Sequence, residues 1–321
     1  MQRHTIFGAH LRASVQTASC FRALNLSGPI FLNSTVTQCT TRFTSSVGSS
    51  NSSIAGSFKA SNRLSGRRCI ITGGSSGIGL AIAERFLHES ALSVILVGRS
   101  QQRLEAAVKD LPYPENVRIL VGDISEPGSW LRELEKEMAN VDILVNAAGI
   151  SISNILARSE PEDISKILRT NLEGAILTSR ALIRAAIRGR IRNRNTAEAG
   201  KNPVSKCIIN ISSLLALKAG MGAVPYAASK AGVLGLTRSL AVEASGSLKD
   251  IAIRSNAIVP GYIETPMISD FTPGEVGRLN DMIPLHRFGT PGEVADAAVF
   301  LAQNEYANNC VLNLDGGLSA V

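Results

Sequence analysis

The chain is predicted to fold as a single α/β domain built on a doubly wound parallel sheet of about seven strands. Three observations point there. Short apolar runs rich in Val, Ile and Leu alternate with helical patterns from Leu64 onward. The runs are apolar almost throughout, as strands covered on both faces require. A glycine-rich turn, TGGSSGIG at Thr72–Gly79, leaves the first run and opens the first helix.

The elements follow in order. The first strand, 68–72, holds Cys69-Ile70-Ile71 and feeds the turn; the helix after it spans 77–89. A second run at 93–97 ends LVGRS, and helix 100–109 returns the chain to a third run at 117–121, which ends before Asp123-Ile124. Helix 127–139 leads to a strand at 141–146 that ends in VNAAG, and a long helical pattern covers 161–188. The strand 205–211 runs into Ser212-Ser213, helix 224–245 follows, and the strand 251–258 stops before Pro260-Gly261. Helix 292–303 and a last strand at 310–314 complete the set, with no internal repeat or second domain. Two connections are long for a compact domain, which marks a functional or unstructured segment. Residues 189–204 are polar and basic, and lead into a strand. Residues 264–287 contain Pro266, Pro273 and Pro284 and follow a strand end, where a doubly wound sheet binds its ligand; a substrate lid is expected there.

The chain has 321 residues, 45% hydrophobic, enough for a sizeable core. Its net charge of +7 is not spread evenly. Residues 1–62 carry Arg3, Arg12, Arg22, Arg42 and Lys59 and no carboxylate, the first being Glu84, so the rest of the chain is only +2. A Ser/Thr-rich, acid-free leader with spaced arginines is the composition of a mitochondrial transit peptide, with a plastid peptide as runner-up and a plain disordered tail as the alternative. The matrix is the expected location. No stretch of 18 apolar residues offers a membrane span. Cys69, Cys207 and Cys310 lack Cys-x-x-Cys spacing, and only His88 and His286 lie beyond the leader, so no metal cluster is expected.

The turn is suited to a pyrophosphate: Gly73 for the tight bend, Gly77 for close backbone approach, and Gly79 for helix–strand packing, with the helix N-terminus behind. Its candidate cofactor contacts are Gly73, Ser75, Ser76, Gly77, Ile78 and Gly79. Tyr226 and Lys230, four apart at a helix start, share one face. An ammonium beside a phenol is expected to lower the phenol pKa toward working pH, which equips Tyr226 to exchange a proton with a carbonyl or alcohol oxygen. Ser213, thirteen residues upstream at a strand end, can donate to the same oxygen.

Together these residues resemble the short-chain dehydrogenase/reductase family, over about Leu64–Val321. The turn matches TGxxxGxG, and the family tetrad falls on Asn171 in RTNLEG, Ser213 in NISS, and Tyr226 and Lys230 in YAASK. The resemblance implies a Rossmann-type fold, hydride exchange with a nicotinamide, Tyr226 as acid/base, Ser213 polarising the carbonyl, and Lys230 also holding the ribose. Asn171 would anchor a water linking Lys230 to solvent. It further implies cofactor contacts at Asn146, Ala148 and Gly149 of VNAAG, at Asp123 and Ile124, and at Pro260, Gly261, Ile263 and Thr265. Ala147 departs from the family's NNAG, and Asn308-Asn309 replaces a common Thr-Gly. Ser212 neighbours Ser213, which keeps the thirteen-residue spacing. Gly98 stands where an NAD-binding member carries an acid, and Arg99 could pair with a 2′-phosphate, which implies NADPH. The alternative is a solvated Arg99 in a first helical turn.

Within the family, LVNAAGIS, PGYIETPM, IPLHRFGTPGEVADAAVFL and VLNLDGGL are most similar to mitochondrial 3-oxoacyl-[acyl-carrier-protein] reductases and carbonyl reductases. The expected reaction is reduction of a 3-oxoacyl carrier-protein thioester to the 3-hydroxyacyl form in fatty acid synthesis. A free quinone, steroid or sugar carbonyl is the alternative, and a non-catalytic partner subunit the third. Arg184, Arg188, Arg190, Arg192, Arg194, Lys201 and Lys206 face only Glu198 between 184 and 206. That cluster suits an acidic acyl carrier protein, with a solvated helix end as the alternative. RNA is disfavoured because no aromatic residue interleaves the arginines. The resemblance also implies a homo- or hetero-tetramer through helices 161–188 and 224–245.

Overall fold

In the first strand, β1 (Arg68–Thr72), buried side chains alternate between two helical layers. Cys69 and Ile71 pack with Ile82 and Phe86, whereas Ile70 packs on the opposite face with Leu134 and Met138. That alternation is the period of an extended strand covered on both sides. The computed structural model describes residues 62–126, 128–193, 205–247, 252–269 and 271–321. All of them fall within the unit Gly56–Val321. The leader before Asn62 and most of the basic connection, 194–204, lie outside the described residues.

After β1 come α1 (Gly77–His88), β2 (Ser93–Gly98), α2 (Gln101–Asp110), β3 (Val117–Val121), α3 (Ser129–Glu137) and β4 (Ile143–Asn146). The second half holds α4 (Pro161–Leu168), α5 (Gly174–Asn193), β5 (Lys206–Ile211), α6 (Val224–Ser247), β6 (Ile253–Pro260), α7 (Pro273–Met282), α8 (Pro291–Gln303) and β7 (Val311–Leu314). The seven strands pair in the order β3-β2-β1-β4-β5-β6-β7, every pairing parallel. The order reverses between β1 and β4, which opens a crevice beyond their carboxyl ends. The chain thus has the Rossmann-like architecture expected. No helix among the described residues is long and apolar enough to cross a membrane.

One helical expectation needs correction. The pattern at 161–188 is not one helix: α4 ends at Leu168, Arg169–Glu173 forms a π-helical turn, and α5 then runs on to Asn193. The apolar periodicity is nearly continuous across the turn, so it conceals the local widening. The segment 264–287, expected as a lid, contains a helix that the sequence reading did not assign. Thr272 and Glu275 form a reciprocal capping box at the start of α7, and Pro273 occupies the first turn, where its missing N–H costs nothing.

Candidate active site

The glycine turn is held at the switch point by Thr72. Its Oγ1 accepts the backbone N–H groups of Ala147 and Ala148, each at 3.2 Å, and donates to Val145 O at 3.4 Å. This joins the end of β1 to the loop after β4. Gly73 has φ +69°, and a Cβ there would stand 2.8 Å from Ala148 Cα. Gly79 packs directly against the Gly73 carbonyl. Gly77, φ +56°, faces Thr265: a Cβ would reach to 3.4 Å from Thr265 Cγ2. The glycines therefore keep clear a cradle between the turn and the segment after β6, and a dinucleotide pyrophosphate would fit there against the N-terminus of α1.

The neighbouring serines after β5 do different things. Ser212 is buried, and its Oγ donates to Lys230 O at 2.9 Å, which fastens α6 to the end of β5. Ser213 is half-buried, its Oγ accepts Leu215 N–H at 3.2 Å, and it hydrogen-bonds the Tyr226 phenol. Tyr226 sits in the first turn of α6, 8% exposed. One turn later Lys230 is 4% exposed, with Nζ 2.8 Å from Ile211 O and 5.8 Å from the Tyr226 ring centroid. Burial pushes the Lys230 pKa down to about 8. The lowered phenol expected from sequence is not found in the chain by itself. Burial raises the Tyr226 pKa, and the Ser213 hydrogen bond opposes it only in part.

Asn171 lies in the π-helical turn with both ends of its amide engaged. Oδ1 accepts Ile150 N–H at 2.8 Å, and Nδ2 donates to Ile150 O and to Ser229 Oγ, each at 3.0 Å. Ser229 in turn donates to Tyr226 O at 2.7 Å. Gly149 is the common neighbour: a Cβ there would meet Lys230 Nζ at 3.3 Å and Asn171 Oδ1 at 3.5 Å. Asn171, more than forty residues from the others, is thus brought to the same end of the sheet as Ser213, Tyr226 and Lys230.

Other candidates take different places. The Asn146 amide is spent in the core: it donates to Asn210 Oδ1 at 2.9 Å and to Ser179 Oγ at 3.3 Å, and accepts from Thr178 Oγ1 at 2.7 Å. The Ile124 side chain is buried against Gly174 and packs in the cluster with Trp130. Both are packing residues as far as their side chains go. Ile263 is buried below Gly289, and Gly261 is required because a Cβ would meet Asp315 Cα at 2.8 Å. Ser75, Ser76 and Ile78 are half-buried along the turn, Ala148 lies against Gly73, and Pro260 closes β6.

At the other end of the cleft, Gly98 ends β2 and Arg99 is exposed, 4.0 Å from Asp123 Oδ2. Burial pulls the Asp123 pKa up, but hydrogen bonds from Ser125 and the charge of Arg99 bring it below the usual carboxylate value. Lys206 does not belong to the basic surface: it is largely buried, its Nζ bonds Val141 O, and burial lowers its pKa. Arg184 and Arg188 are exposed and flank Glu135 at 3.8 and 3.9 Å, a carboxylate from α3 that sequence proximity could not reveal. Arg194 lies outside the described residues, as does the Arg192 side chain. Sequence reasoning passed over the roles of Thr72, Ser212 and Ser229. Small hydroxyls flanking a motif carry no signal of their own, because their partners are set by the fold.

Residues 67–275 match the short chain dehydrogenase family. The chain is 36% identical over 250 residues to carbonyl reductase family member 4 of Xenopus laevis, covering 78% of this chain and 97% of that one. It is 35% identical over 262 residues to the 3-oxoacyl-[acyl-carrier-protein] reductase FabG of Thermotoga maritima, covering 80% and 99%. Among solved structures, a candidate NAD(P) dependent gluconate 5-dehydrogenase from Beutenbergia cavernae, with NADP bound at low occupancy, superimposes with a TM-score of 0.69 at 29% identity, covering 82% of this chain and 100% of that one.

Proposed function

The chain belongs to the short-chain dehydrogenase family, and from that premise we propose that it reduces 3-oxoacyl-[acyl-carrier-protein] to the 3-hydroxyacyl form with NADPH, as a step of fatty acid synthesis in the mitochondrial matrix. The observation that carries the reading is the Tyr226 phenol, bonded to Ser213 and with Lys230 Nζ 5.8 Å from its ring, at the same end of the parallel sheet as the glycine turn. The turn, from Gly73 to Gly79, would hold the pyrophosphate, with Arg99 at the 2′-phosphate and Lys230 at the ribose. Bound nicotinamide supplies the hydride. Ser213 Oγ donates to the substrate carbonyl oxygen and polarises it. Tyr226 Oη gives its proton to that oxygen, and the Lys230 ammonium stabilises the phenolate left behind. Asn171, tied to the Ile150 peptide and to Ser229, joins the loop after β4 to α6 and would anchor a water on the proton path.

Carrier-bound substrate is supported by the name of the bacterial relative, and a free carbonyl by the name of the amphibian one. The exposed Arg184 and Arg188, with Arg190, Arg192 and Arg194 beyond them, supply opposite charge for an acidic carrier protein. A tetramer, of like or unlike subunits, is supported by exposed Leu168, Ile176 and Val242 on α4, α5 and α6. The deciding experiment is NADPH oxidation with acetoacetyl-carrier protein beside a panel of free ketones. A much higher kcat/KM on the carrier-bound substrate is expected; preference for a free ketone would replace this reading with the carbonyl reductase one.

A further inference from the structure

The first turn of α2 carries a cation that the reading above does not use. Ser100 caps this helix by accepting the Arg103 backbone N–H at 3.3 Å, which sets Arg103 one turn beyond Arg99. The next residue, Leu104, is fully buried. With Leu104 anchored inward, the Arg103 guanidinium reaches across the surface to the glycine turn and donates to Ser76 Oγ at 3.3 Å. Ser76 precedes α1, and its hydroxyl makes no capping bond to that helix, so it is available to orient Arg103.

The two arginines differ in what opposes them. Arg99 shares its charge with Asp123, 4.0 Å away. Arg103 forms no ion pair among the described residues, and it is exposed. Two guanidinium groups therefore stand near the end of β2, Arg99 toward Asp123 and Arg103 toward the glycine turn.

In a doubly wound sheet the adenosine ribose of a dinucleotide lies in this gap, and an acid at the end of β2 selects its 2′-hydroxyl. Here that position is Gly98, and a Cβ on it would stand 3.2 Å from Leu104 Cδ2. A carboxylate side chain at 98 would press on the residue whose burial directs Arg103.

We propose that Arg103 is a second determinant of cofactor choice, binding the 2′-phosphate of NADPH together with Arg99, with Ser76 Oγ orienting its guanidinium. The proposal rests on the NADPH reading above and extends it to a residue outside the family motifs. A phosphate dianion gains charge-assisted hydrogen bonds from each planar guanidinium, so two forks discriminate more strongly than one.

The test is direct binding of NADPH, NADH and adenosine 2′,5′-bisphosphate to the full-length protein by calorimetry, for wild type, Arg99→Ala, Arg103→Ala and Arg103→Lys. Arg103→Ala is expected to weaken NADPH and the bisphosphate by about ten- to a hundredfold, the loss of one hydrogen-bonded charge contact. NADH should change by less than about twofold, since that ligand has no 2′-phosphate, and Arg103→Lys should recover part of the loss. If Arg99→Ala abolishes the preference and Arg103→Ala leaves it intact, the proposal fails while the NADPH reading stands. Equal weakening of NADPH and NADH by Arg103→Ala would make the residue structural and overturn the proposal. A wild type that binds both cofactors equally would overturn the NADPH reading itself, and Arg103's role with it.

Discussion

Lys230 Nζ lies 5.8 Å from the centroid of the Tyr226 ring while donating to Ile211 O at 2.8 Å. The ammonium is thus tethered to the end of β5, and the phenol one helical turn earlier is anchored by Ser213 on the other side. One helix start and one strand end define the geometry of the proposed proton transfer.

Tyr226→Phe keeps the ring and removes the hydroxyl. Turnover should fall by at least ~10²-fold with cofactor affinity retained, and Ser213→Ala should lower turnover comparably by leaving the carbonyl unpolarised. Steady-state kinetics with cofactor titrations check this. Near-normal turnover of the phenylalanine variant would remove Tyr226 from the mechanism.

Lys230 gives a pH signature. Its folded pKa, about 8, is below its ordinary value of 10.5 because burial disfavours the ammonium. The unfolded chain therefore binds more protons between those two values, and wild-type stability should rise with pH across that window. Below pH 8 the burial penalty is present in full; above 10.5 it is gone. Denaturation midpoints of wild type and Lys230→Met, followed in the cofactor-free protein, should diverge over this range in favour of wild type as pH rises. Parallel curves would mean that Lys230 titrates normally.

Gly73 is required by both its backbone and its neighbour. An alanine there would adopt φ +69° and bring Cβ to 2.8 Å from Ala148 Cα. Gly73→Ala should cost about 1–3 kcal/mol of stability from the backbone conformation alone, read by chemical denaturation. Gly77→Ala carries the same left-handed backbone penalty at φ +56° but adds only ordinary contact with Thr265, so it should be less destabilised than Gly73→Ala, which adds the clash with Ala148, and should still lose dinucleotide binding. If Gly77→Ala binds the dinucleotide as wild type does, the cradle assignment of Gly77 is wrong.

Replacing Arg190, Arg192 and Arg194 with Glu should raise KM for a carrier-bound substrate and leave a small free ketoester almost unaffected. The effect should weaken with salt, because exposed charges are screened over ~8 Å at physiological ionic strength. An equal response of both substrates would assign the cluster a structural role.

Fusing residues 1–62 to a fluorescent reporter should direct it to mitochondria, since that stretch carries five cationic side chains and no carboxylate. Retention in the cytosol, or delivery to plastids in a plant cell, would refute the matrix assignment.

The sequence by itself determined the sheet and the register of chemistry along it. Strands such as Arg68–Thr72 and Ser93–Gly98 are legible because burial on both faces leaves continuous apolar runs. The glycine turn and the Tyr226–Lys230 pair are legible because local geometry alone sets their spacing. The capping box that starts α7 at Pro273 was equally local, yet prolines hid it. What only the tertiary structure decided depends on partners distant in the chain. Asn146 turns into the core because Thr178, Ser179 and Asn210 wait there. Lys206 is drawn inward to Val141 O, and Glu135 stands between Arg184 and Arg188. Ser212 and Ser213, indistinguishable as a dipeptide, point in opposite directions because successive side chains of an extended segment do so: one fastens α6, the other meets Tyr226. Arg103 reaches Ser76 across 27 residues because Leu104 is buried beneath Gly98. A polar side chain takes its role from whichever group the fold brings within hydrogen-bonding distance, and sequence spacing does not encode that distance.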